Sequence, residues 1–211
     1  MKKFVLTALA LAALVSASDA FAQRFYLGVK AGVAMEDLDV DTIDDTSMRT
    51  GFMGGGFLGY DVSDQFGFRL EALYVNKGAE LNDPNGAFDV NYDFIEVPLL
   101  FVLHMTPQSA AMIDLFAGPT LAFNISAETD DGSATVDISD QTESFEIGAA
   151  IGVGIEYKLS SMSILGDLRY SLGATDLADI EDSTQDLEVK SRGFGIMAGL
   201  LFPIGSSNNT Q

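Results

Sequence analysis

Eight charged residues sit inside otherwise apolar stretches of this chain: Lys30, Arg69, Glu71, Lys77, Glu96, Asp114, Asp167 and Arg169. Opposite charges gathered out of water can do one of two things. They can line a polar path for ions or small solutes, or they can neutralise one another as a plug of salt bridges. His104 is the single histidine. A general base or a metal ligand needs partners that the sequence does not place beside it, so a histidine at an interface is the simpler reading. Ser171 and Ser191 have no histidine at matched height, which a lipid-cleaving pair would require. With no cysteine in the chain, thiol nucleophiles, disulfides and Cys-based metal sites are excluded. Gly54-Gly55-Gly56 is not a phosphate loop, because no strand-loop-helix unit follows it; glycines there let a strand curve. No catalytic, cofactor-binding or metal-binding residue is therefore expected, and no cofactor.

Three acidic clusters offer a different chemistry. Glu36, Asp37, Asp39, Asp41, Asp44 and Asp45 form one; Glu128, Asp130, Asp131, Asp137, Asp140 and Glu143 the second; Asp176, Asp179, Glu181, Asp182, Asp186 and Glu188 the third. Converging oxygens could take up divalent cations weakly. Asp130-Asp131-Gly132 resembles part of a calcium loop, but the spacing is not that of an EF-hand. A solvated, repulsive rim is the plainer expectation. The formal net charge of −20 excludes a nucleic-acid partner, which needs basic patches.

The elements that must position these groups read as strands. Met1-Lys2-Lys3, the apolar run Phe4 to Val15 and the small-x-small Ala20-Phe21-Ala22 form a secretory signal peptide over 1–22, with the mature chain starting at Gln23. No later segment supplies the roughly 18 apolar residues of a spanning helix. Apolar stretches instead alternate at period two. In Phe25 to Ala34, Phe25, Leu27, Val29, Ala31 and Val33 share one face, and Tyr26, Gly28, Lys30 and Gly32 the other. The pattern recurs over Gly51–Val62, Phe66–Lys77, Asn91–His104, Ala111–Ile125, Ser144–Lys158, Ser163–Ala174 and Arg192–Ile204. Apolar residues on one face suit lipid, and the charged residues fall on the other. Short connections at 62–65, 105–110 and 159–162 alternate with long ones at 35–50, 78–90, 126–143 and 175–191. That is an eight-stranded antiparallel up-and-down transmembrane β-barrel over 23–205 with a tail at 206–211. Its short turns and both termini are periplasmic, and its long acidic loops are outside.

The motifs now carry a family resemblance. Tyr92-Asp93-Phe94-Ile95-Glu96-Val97-Pro98-Leu99-Leu100 resembles the aromatic-x-Glu-Ile-Pro-Leu strand of the PorT-like outer-membrane β-barrel family, the "porin family" proteins. Ala117-Gly118-Pro119, Gly152-Val153-Gly154-Ile155-Glu156-Tyr157, Leu168-Arg169-Tyr170-Ser171-Leu172-Gly173 and Gly199-Leu200-Leu201-Phe202 resemble its later strands in order. Such barrels commonly finish on an aromatic residue, whereas here Pro203 to Gln211 follows Phe202. The resemblance implies an outer-membrane location, outer-membrane lipid as surroundings and the barrel-assembly machinery as a partner during biogenesis. It implies no one activity.

Three classes of function stay open: a structural or surface-interaction barrel, a narrow porin, and a lipid-modifying membrane enzyme. Eight strands enclose room for side chains or one small ligand. Lys30, Arg69, Glu71, Glu96, Asp114, Asp167 and Arg169 are accordingly expected to fill the lumen as a structural polar network, with no stable ion conductance. Glu96 is expected beside Arg69 and Glu71. Pro98 and Pro119, which lack an N–H, are expected to bulge or break the ladder between the fourth and fifth segments.

Overall fold

The computed structural model describes residues 25–40, 46–83, 86–107, 109–130, 135–137, 145–175 and 189–204. The expected signal peptide and C-terminal tail lie outside the described residues. Among the described residues there are nine strands: β1 Phe25–Val40, β2 Thr46–Asp61, β3 Phe66–Asp83, β4 Gly86–His104, β5 Ala111–Asp130, β6 Thr135–Asp137, β7 Phe145–Lys158, β8 Ser163–Gly173 and β9 Val189–Ile204. Eight of them close a barrel in the order β1-β2-β3-β4-β5-β7-β8-β9, with β9 returning to β1; every pairing is antiparallel. The short β6 pairs only with the far end of β5.

Alternation sets the two faces. In β7 the odd-numbered residues from Phe145 to Tyr157 are exposed while Glu146, Ala150, Gly154 and Glu156 are buried. Outward Ile151 is 60% exposed and Val29 56%, exposure that only lipid makes favourable over so much apolar surface. Aromatic residues gather at the two ends of the wall. Phe25 stacks with Tyr60, and Phe101 with Phe66 and Phe68, near the short turns. Phe52 with Tyr74, Phe123 with Phe145 and Tyr170 with Phe194 lie toward the long loops. Such belts mark the two membrane interfaces.

The strands run further than the apolar alternation. Residues 78–83 and 86–90, expected as a loop, continue β3 and β4, which pair as far as Asp83↔Gly86. β1, β2, β5 and β9 are likewise extended. Backbone pairing does not need the apolar alternation that reveals a strand in sequence.

The ladder is interrupted at the prolines as expected, and a second gap lies on the β3 side. β3–β4 pairing stops after Leu70↔Leu99 and resumes at Leu73↔Glu96, so Glu71 and Ala72 stand opposite Pro98 and Val97 without bridging. β4–β5 pairing stops at Pro98↔Thr120 and resumes at Phe101↔Ala117, leaving Leu99 and Leu100 unbridged opposite Pro119 and Gly118. Register is unchanged across both gaps. The ladder is broken rather than bulged there, because a missing N–H removes a bond without adding a residue. The register shifts lie elsewhere, between Met48 and Met53 and between Asp93 and Phe94.

Candidate functional site

The lumen is the place where polar groups converge. Inward positions near its middle come from β1, β3 and β8, strands far apart in sequence. Lys30 Nζ donates to Glu71 Oε1 and to Asp167 Oδ2, both at 2.7 Å. Arg169 Nη2 donates to Glu71 Oε2 at 2.7 Å, and Arg69 Nε lies 2.8 Å from Glu71 Oε1. All five side chains are almost fully buried. The Phe57 and Phe116 rings close over the cations, with Arg69 4.8 Å and Arg169 5.6 Å from the Phe116 centroid. Each cation therefore keeps a carboxylate or a ring face in exchange for lost water.

A second layer lies toward the long loops. Lys77 Nζ sits 2.7 Å from Glu96 Oε1 and 3.1 Å from Glu146 Oε2, and Ser191 donates to Glu146. Glu96 is thus inward, but its neighbour is Lys77 and not Arg69. The connection at Asp83 and Gly86 sets a register that puts Glu96 opposite Leu73, two residues beyond the level of Glu71. Between the layers pack Ala34, Met53, Leu73, Val75 and Met197. The middle layer has three cations against two carboxylates and the upper layer one against two, so the excesses cancel between layers.

Asp114 belongs to neither layer. Its Oδ1 is 2.7 Å from His104 Nδ1, and His104 Nε2 is 3.1 Å from Asp61 Oδ1. His104 therefore has two partners where the sequence offered none. Asp61 ends β2, and the registers of the consecutive β2–β3, β3–β4 and β4–β5 hairpins bring it level with His104 and Asp114, which are direct cross-strand partners. Both ring nitrogens are occupied by carboxylates, so this histidine has no free nitrogen to act as a general base. Glu146, Ser191, Asp61 and Glu156 also belong to the polar interior. Their inward parity was readable from sequence; their partners were not.

Below these layers the lumen widens into a vestibule of about 370 Å³ at the short-turn end, lined among others by Tyr26, Asp61, His104, Met112, Glu156 and Leu201. Behind Glu156 it narrows to a recess of about 10 Å³ between Tyr26, Arg69, Asp114 and Asp167, room for about one water molecule. Among the described residues, no cluster of three or more His, Asp or Glu is arranged to hold a metal ion. The side chains of the three acidic clusters lie outside the described residues.

Residues 19–179 match the family model described as outer membrane protein beta-barrel domain. Among curated proteins none matches the sequence. Solved structures share the fold, among them the following two. Neisserial surface protein A matches with TM-score 0.53 and 16% identity, over 85% of this chain and 97% of that one. The outer membrane protein OprG from Pseudomonas aeruginosa matches with TM-score 0.56 and 15% identity, over 87% and 98%.

Proposed function

We propose, from the premise that this chain belongs to the outer membrane protein beta-barrel domain family and lies in the cell outer membrane, that it is a non-enzymatic structural barrel presenting its long loops at the cell surface. The observation that carries this reading is the filled lumen. Lys30, Glu71, Asp167 and Arg169 meet across it with side-chain exposures of at most 1%. A path for hydrated ions would have to break at least one of these pairs, at a cost of roughly 3–5 kcal/mol.

Within the family, the order of motifs from Tyr92 to Phe202 supports placement with the PorT-like barrels. Outer-membrane lipid against the outward face, the assembly machinery during biogenesis and weak divalent-cation contact at the acidic loops are the partners this reading supplies. Planar-bilayer recording on the purified, folded chain tests it. The expected result is no steady single-channel step. Reproducible steps would replace this reading with that of a narrow porin, and acyl transfer or hydrolysis on a lipid substrate would replace it with an enzyme.

A further inference from the structure

We propose that the vestibule at the short-turn end is a binding site for small amphiphilic organic cations, with the Glu156 carboxylate receiving the ammonium group. This goes beyond the structural reading above and does not depend on the loops. A barrel that conducts would fail the bilayer test and leave this inference standing.

The argument rests on one carboxylate that lacks what its neighbours have. Glu71, Glu96, Asp114, Glu146 and Asp167 are buried, and each has a basic group within 3.1 Å. Glu156 is buried too, though at 8% exposure it is the least so of the six, and among the described residues it makes no ion pair. Its hydrogen-bond partner is the Ser163 hydroxyl. A desolvated carboxylate without a cation is costly, and a ligand that brings the cation removes that cost. The two basic groups facing the same space are committed elsewhere. Lys158 Nζ donates to the Pro107 carbonyl at 3.1 Å, and His104 is held between Asp61 and Asp114. Asp64 adds a further carboxylate at the mouth.

The walls supply the second half of the specificity. Phe25, Tyr26, Met112, Leu201 and Pro203 line the same space. They offer aromatic faces and a flexible thioether to an apolar body and to the ammonium itself. Deeper in, Asp167 Oδ1 and Arg69 Nη2 border the recess without a hydrogen-bond partner. The recess is too small for anything beyond about one water molecule, so the vestibule is a dead end. A ligand enters and leaves from the periplasm and does not cross. The volume lies at the lower end of small-molecule sites, which suits a single ring with a short amine chain.

The test uses the full chain folded in an uncharged maltoside detergent, so that no detergent headgroup competes. Phenethylammonium chloride is titrated while the methionine methyl resonances are followed. The expected result is a saturable shift of the Met112 methyl with Met53 and Met197 unmoved, and about tenfold weaker binding of phenethyl alcohol and phenylacetate. Glu156→Gln is expected to lower affinity for the ammonium probe about tenfold while leaving that for the alcohol unchanged. Should that variant not fold, raising potassium chloride on the unaltered chain must weaken the ammonium probe and spare the alcohol. Equal affinity for alcohol and ammonium, no shift at Met112, or salt-independent binding of the ammonium probe would overturn the inference.

Discussion

Glu71 on β3 and Arg169 on β8 are 98 residues apart in sequence and meet across the lumen with carboxylate and guanidinium 2.7 Å apart. Glu71 also accepts from Lys30 and lies 2.8 Å from Arg69 Nε, so one carboxylate serves three cations. Glu71→Gln keeps the shape and removes the charge. It leaves three buried cations facing Asp167 alone. The variant is expected to lose about 3–5 kcal/mol, read as a lower urea midpoint for the heat-modifiable gel band. A midpoint unchanged from the parent would mean that the cluster is not a keystone of the barrel.

Opening the plug is a sharper perturbation than weakening it. Arg169 and Phe116 pack against each other at mid-lumen. Replacing both with alanine removes the guanidinium and the ring that cover the passage. The expected outcome is flickering conductance in planar bilayers from the double variant, against none from the parent. A parent that already conducts steadily contradicts the closed lumen. A silent double variant shows that the remaining Lys30, Arg69, Glu71 and Asp167 close it by themselves.

The broken ladders around Pro98 should be visible in amide exchange. Leu99 and Leu100 lack bridges on the β5 side and Ala72 on the β4 side, whereas the β7–β8 ladder is continuous from Gly148↔Gly173 to Lys158↔Ser163. Exchange at these three amides is expected to outpace that of Ile151 and Val153. Pro119→Val restores a donor on an outward position and should add about 0.5–1.5 kcal/mol, the net worth of one hydrogen bond. Exchange as slow as in β7 would mean that the gap has no energetic consequence.

Gly32 is an inward glycine on β1, and a Cβ built there would run into the Ile196 carbonyl on β9. The obstacle is backbone, which cannot rotate aside. Gly32→Ala should therefore destabilise the barrel by about 1–3 kcal/mol, the range for overpacking. Gly154→Ala is the control, since its Cβ meets nothing closer than 3.5 Å. Equal midpoints for the two variants would remove the claim that close strand approach at β1–β9 requires glycine.

Much of this molecule is legible in its sequence. Period-two alternation fixes which residues face lipid and which face the lumen, because a strand residue has only two directions in which to point. Arg69, Glu71 and Lys77 follow in step on β3, and Glu146 and Glu156 share the inward face of β7, so parity alone places them inside. Turn lengths give strand order and orientation, and the missing N–H of each proline gives the location of the ladder gaps. What parity cannot give is height. Partners in the lumen are chosen by register and by closure of β9 on β1, properties of pairs of strands and not of any one segment. Hence Glu96 meets Lys77 and not Arg69, His104 finds both Asp114 and Asp61, and Glu156 faces the vestibule without a cation among the described residues. The lengths of β3 and β4 beyond the lipid band were hidden for a related reason. Their sequence lacks the apolar alternation that marks a strand, while the backbone goes on pairing.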